Sequence, residues 1–193
     1  MNAQEFAARF SLLNLPDAAY TESSRFVPND ESKSAAVLVP IIEHGDQLNV
    51  LFTTRAKHLR HHPGQVSFPG GKYEDDDKDL ITTAIRESHE EIGLNPKNVQ
   101  PLGWLPSLHT ISNFTVYPLV SLINNQSEYV INKDEVDDVF TAPLNYFLER
   151  QKHFTVHPTL NNVNHKVHFM PFQERLIWGA TAAILDKLVL HFE

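Results

Sequence analysis

The chain has 193 residues, of which 41% are hydrophobic, and its 16 basic and 24 acidic side chains give a charge of -8. That length and balance suit one domain with a proper core, and the acidic excess argues against nucleic-acid backbones as partners. With no cysteine, disulfides, zinc-thiolate sites and a cysteine nucleophile are excluded.

No basic-then-apolar leader opens the chain, and no apolar run is long enough to span a bilayer, so a cytoplasmic protein without membrane contact is expected. Residues 3–13 predict a short amphipathic helix, with Phe6, Phe10 and Leu13 at helical spacing. A polar linker follows at 28–34, so 1–30 reads as a helical extension packed on a domain covering 31–193. Residues 35–43 and 48–55 read as paired strands around the turn "HGDQ", although Pro40 interrupts the first. A basic stretch leads to a short strand, Gln65 to Phe68, that ends at Pro69-Gly70-Gly71. After an acidic loop, a helix runs from about Asp79 to Ile92, with Gly93 suited to the left-handed position beyond its end. Ile81, Ile85, Ser88 and Ile92 are expected to pack, and Glu87 and Glu91 to face a cleft.

Strands are expected at 99–106 and 112–122, the second at a sheet edge or beside a bulge because of Pro118. Residues 124–132 suggest a turn and a strand, 134–151 loop and short helix, and 153–158 with 163–172 a late hairpin. A closing helix over 173–190 would bury Leu176, Ala180, Ala183, Ile184, Leu188 and Leu190. Strands on both sides of a central helix predict a mixed sheet covered on both faces.

Chemistry concentrates in "RESHEEIG", 86–93. Glu87, Glu90 and Glu91 stand at i, i+3 and i+4, so their side chains converge within one turn. The Glu87–Glu91 pair costs an exposed helix roughly 0.2–0.5 kcal/mol, and carboxylates in the last turn oppose the helix dipole. A hard divalent cation reverses both signs. The plainer alternative is a solvated face with an Arg86–Glu90 salt bridge. Gly70 and Gly71 allow backbone to approach a ligand, but Gly71-Lys72-Tyr73 is not the end of a Walker A loop. Arg55, Lys57, Arg60, His61 and His62 form a basic cluster that suits a phosphorylated small molecule, or else a solvated turn. His109, His153 and His157 carry no role on this reading, and Trp104 and Trp178 are expected in the core.

"GGKYEDDDKDLITTAIRESHEEIGL", 70–94, resembles the Nudix box. Gly71, Arg86, Glu87, Glu90, Glu91, Gly93 and Leu94 match it. Asp77 replaces the usual glutamate, one extra residue precedes Arg86, and Ser88 replaces an aliphatic residue. Upstream, "LFTTRAKHLRHHPGQVSFPGG" is similar to the extended motif of the coenzyme A diphosphatase branch, in which the aspartate and the extra residue are usual. The resemblance implies a Nudix α/β/α sandwich with a mixed central β-sheet, and hydrolysis of the coenzyme A or acyl-coenzyme A diphosphate. Another nucleoside diphosphate substrate, such as NADH or a nucleotide sugar, and a non-catalytic nucleotide-binding domain are the alternatives. It further implies Mg²⁺ or Mn²⁺ on Glu87, Glu90 and Glu91, with Gly71 and Asp77 as further candidate ligands. Asp77 could instead structure the loop. Glu90, Glu91, Arg86 and Glu135 are the candidate catalytic residues, with the general base left between a box glutamate and Glu135. Arg55, Arg60, His62, Gln65 and Gly70 are candidates for substrate binding. The expected partner is a small molecule, with a homodimer left open.

Overall fold

Alternation along the strands sorts their side chains into two cores. The computed structural model describes residues 1–13, 32–124, 128–160 and 163–193. Its first half runs α1 (Ala3–Leu12), β1 (Lys33–His44), β2 (Gln47–Arg55), β3 (Val66–Ser67), β4 (Gly70–Lys72) and α2 (Leu80–Ile92). Next come β5 (Val99–Trp104), β6 (Leu108–His109), β7 (Phe114–Ile123), β8 (Val136–Pro143) and α3 (Leu144–Leu148). The C-terminal part holds β9 (Phe154–Val156), β10 (Thr159–Leu160), β11 (Val163–Asn164), β12 (Val167–Phe172), β13 (Arg175–Trp178) and α4 (Gly179–His191).

The main sheet has the order β3-β2-β1-β7-β5, with β4 paired to β1, β6 to β7 and β8 to β2. β1 and β7 are parallel, and the other pairs are antiparallel. Val39, Ile41, Val50, Phe52, Val120 and Leu122 join the core beneath α1, α3 and α4. Their neighbours Ala36, Leu38, Leu51, Leu119 and Ile123 join the core beneath α2. A period of two thus produces a mixed sheet with helices on both faces, the expected α/β/α sandwich.

Several expectations need correction. β7 lies inside the sheet, not at its edge, and Pro118 falls where β7's neighbour changes from β5 to β6. Pro40 falls where β1's neighbour changes from β4 to β2. Each missing N–H therefore coincides with a break in a ladder. Residues 136–143 form a strand on β2 instead of loop. Residues 128–132 form no strand, because Val130 and Asn132 donate to the carbonyls of Ile92 and Glu91 and so close the end of α2. The closing helix begins at Gly179; 175–178 is a strand on β12, and Leu176 and Ala180 are exposed.

α1 packs onto the end of α4. Asn2 caps it by accepting the Glu5 N–H, and Phe6 stacks on Phe192 at 4.9 Å and Phe10 on His191 at 4.3 Å. The remainder of the 1–30 extension lies outside the described residues. No helix among the described residues is long and apolar enough to cross a membrane.

Candidate active site

α2 begins with Asp79, whose carboxylate accepts the Thr82 N–H at 2.8 Å, and stops at Gly93, φ 67°. Thr83, Ala84, Ser88, Glu91 and Ile92 are its buried residues, whereas Ile81 and Ile85 are only half-buried. Ser88 fits the packed face because its hydroxyl donates to the Ala84 carbonyl at 2.6 Å.

Arg86 organises the loop before the helix. Its Nε and Nη2 grip Asp77 at 2.9 and 3.0 Å, Nη1 donates to Glu87 and Glu90 at 3.1 and 3.0 Å, and Nη2 also reaches the Lys72 carbonyl. Through these bonds the guanidinium orients the box carboxylates and braces the turn from loop to helix. Asp77 also accepts from the Glu74 N–H and the Thr83 hydroxyl, so both its oxygens are occupied. Arg86 holds this carboxyl well below the usual range. Asp77 ties the loop to the helix, and as a metal ligand it would have to leave these bonds.

Glu91 is 4% exposed and accepts the Gly70 N–H at 3.2 Å. Burial pushes its carboxyl up to about 8, with Glu87 and Glu135 adding to the rise and Gly70 and Arg55 opposing it. Burial also raises Glu87, against the pull of Arg86. The Gly70 amide is the donor to the buried Glu91 carboxylate. Gly71 is needed for space, because a Cβ there would stand 2.4 Å from the Glu87 carboxyl carbon. Glu135 comes from the turn before β8; its backbone carbonyl accepts the Ala56 N–H, and it adds negative charge at Glu87 and Glu91. One Glu135 oxygen accepts from Asn132 at 3.3 Å.

A cavity of about 1040 Å³ opens at Arg55; Glu87 and Glu91, expected to face a cleft, lie outside its lining, as do Glu90, Glu135, Gly70 and Gly71. Arg55, His62 and Gln65 line it, while Arg60 is exposed and outside its lining. Hydrogen bonds from Gly64 to Arg55 and from Arg55 to Gln65 pinch the intervening loop, which turns Arg60 outward. The Arg55 Nε is buried without a hydrogen-bond partner among the described residues. Sequence reading missed other residues of the lining: His109 of β6, Thr110 and Ser112 from the turn into β7, and His157 and Lys166 around β10 and β11. No local pattern identifies them, since segments far from 51–94 supply them. Trp178 also lines the cavity; it and Trp104 are each 40% exposed, which corrects their expected place in the core.

The carboxylates supply only oxygen, as Mg²⁺ or Mn²⁺ prefers, and burial and mutual repulsion make a cation favourable between them. Among the described residues no three acidic or imidazole groups form a ready-made cage, because Arg86 and Gly70 hold their oxygens. The donor chemistry fits such an ion.

Residues 32–180 match the model of the NUDIX domain. The chain is 40% identical over 164 residues to an uncharacterized Nudix hydrolase, NudL, of Pectobacterium atrosepticum, covering 85% of each chain. A protein of the same description from Enterobacter sp. is 35% identical over 191 residues, covering 99% of this chain and 95% of that one. Among solved structures, a MutT/nudix family protein from Enterococcus faecalis matches with TM-score 0.52 and 14% identity, over 100% of this chain and 73% of that one. A C. elegans Ap4A hydrolase matches with TM-score 0.50 and 20% identity, over 57% of this chain and 80% of that one.

Proposed function

The chain belongs to the Nudix hydrolase family, and on that footing we propose that it cleaves the diphosphate of coenzyme A into 4′-phosphopantetheine and adenosine 3′,5′-bisphosphate. The observation that carries this reading is the buried, unpartnered Nε of Arg55, on a cavity wall shared with His62 and Gln65 and within the field of Glu91. A buried donor without a partner favours an anionic oxygen, and arginine matches phosphate geometry.

Nudix hydrolases use divalent metal ions. Glu87, Glu90 and Glu91 would hold Mg²⁺ or Mn²⁺, with the Gly71 backbone as a further ligand. Such an ion neutralises phosphate charge and acidifies a bound water. Arg86 keeps Glu87 and Glu90 in register with the loop. Arg55, with His62 and Gln65, binds the diphosphate. Glu135 takes the proton of the attacking water, since one of its oxygens carries no hydrogen bond among the described residues. A new P–O bond forms from water while the bridging P–O bond breaks. The protein would act in the cytoplasm on a small molecule, without nucleic-acid or membrane partners.

Wild type and Glu91→Gln, incubated with coenzyme A and Mg²⁺, are compared by mass spectrometry. The two products from wild type alone are expected. No products with Mg²⁺ or Mn²⁺ from folded wild type would overturn the substrate. Millimolar Mg²⁺ is also expected to raise the melting temperature of wild type more than that of Glu91→Gln.

A further inference from the structure

One cavity wall is not used by the diphosphate chemistry. Trp178 ends β13 and is 40% exposed. It sits opposite Phe169 of β12, whose ring lies 6.2 Å away and within 9° of parallel. Phe154 of β9, opposite Phe169 from the other side, stacks on it at 5.2 Å and 2°. Three rings on three adjacent strands make one parallel ladder, and each fixes the plane of the next. Trp178 lines the cavity, whereas Phe169 and Phe154 do not.

The junction after Trp178 is tied to the strand that follows the basic loop. Thr181 donates to the Val66 carbonyl at 3.0 Å, and a Cβ on Gly179 would stand 3.7 Å from Nε2 of Gln65. Trp178 is thereby held beside the segment that binds phosphate in the proposed reaction. Lys166, from the same C-terminal layer, also lines the cavity and has no carboxylate partner among the described residues. A flexible arm needs no ring of fixed plane, but a flat heteroaromatic base gains most from one.

We propose that Trp178 is the stacking platform for the nucleobase of the nucleotide substrate, and that Lys166 takes a phosphate carried by the same nucleoside. This rests on the diphosphatase reading for the substrate's class, and the two fail separately.

Trp104 lies outside the cavity lining, so a Trp104→Phe protein reports Trp178 fluorescence alone. Titration with adenosine 3′,5′-bisphosphate is expected to quench it, and titration with 4′-phosphopantetheine is not. Trp178→Leu is expected to raise the KM for coenzyme A about ten-fold with kcat within about two-fold, and Trp178→Phe to restore most of the loss. Lys166→Ala is expected to raise the KM for coenzyme A but not for dephospho-coenzyme A. Quenching by phosphopantetheine alone, no quenching by the bisphosphate, or an unchanged KM in a folded Trp178→Leu would overturn the platform. Quenching by the bisphosphate in a wild type that hydrolyses no coenzyme A would uphold the platform and refute the diphosphatase reading.

Discussion

Two ionic clusters in this chain are built on opposite plans. Around Arg86, the end of β4, the loop before α2 and the helix itself supply Lys72, Asp77, Glu87 and Glu90, and the guanidinium donates to all four. Around Asp186, the partners are Arg150, which also binds Glu193, and His168 at 3.8 Å, with His153 in electrostatic reach. These come from the turn after α3, from β12 and from the C-terminus. Both ring nitrogens of His153 and the Nε2 of His168 are buried without hydrogen-bond partners among the described residues. The local cluster is satisfied because one short segment can be shaped around one cation. The distant cluster forms where already-packed elements meet, and some of its polar atoms stay unpaired.

If that contrast is right, substitutions should cost most in the satisfied cluster. Arg86→Ala would strand Asp77 and free the loop, and about 3 kcal/mol of stability should be lost in urea unfolding of metal-free protein. A loss below about 1 kcal/mol would erase the distinction. Asp186→Asn should cost less, about 1.5 kcal/mol, because Arg150 is 41% exposed and keeps Glu193 and water. His168→Leu should change stability by less than about 1 kcal/mol, since it removes an unpaired buried nitrogen along with a weak contact; calorimetry would show it.

Acid should separate the clusters by pH window. Burial lowers His153 and His168 from 6.5, against the pull of Asp186. Neutral in the folded state, they contribute stability above 6.5 that is lost as pH falls through their folded values. Asp77 is lowered from 3.8 by Arg86, so its contribution is intact above 3.8 and is lost only at lower pH. Glu91, pushed by burial up to about 8, works in the opposite sense and adds stability as pH falls below that value, so each cluster shows as a difference in melting temperature between wild type and variant. Replacing both histidines by leucine should remove the loss that sets in below 6.5, and Asp77→Asn the loss that sets in below 3.8.

The same division by distance explains what could be read in advance. Asp79, Arg86, the glutamates and Gly93 lie within one helix and its caps, where spacing sets geometry. The role of Asp77 was left open because it depends on a loop closing onto Arg86. β8 was not recognised because Asp137 and Asp138 break its alternation, and its pairing with β2 overrides that local pattern. Arg60 could not be separated from Arg55, because only the pinched loop turns one outward and the other into the cavity.

By itself the sequence determined the family, the strand–loop–helix that gathers the acids, and the two-faced sheet, all consequences of spacing along a regular backbone. The tertiary structure decided which prolines a central sheet tolerates, which basic residues face the cavity, and that Trp178 stands at its wall. Those outcomes depend on neighbours brought in from distant segments, whose pairing no local period encodes.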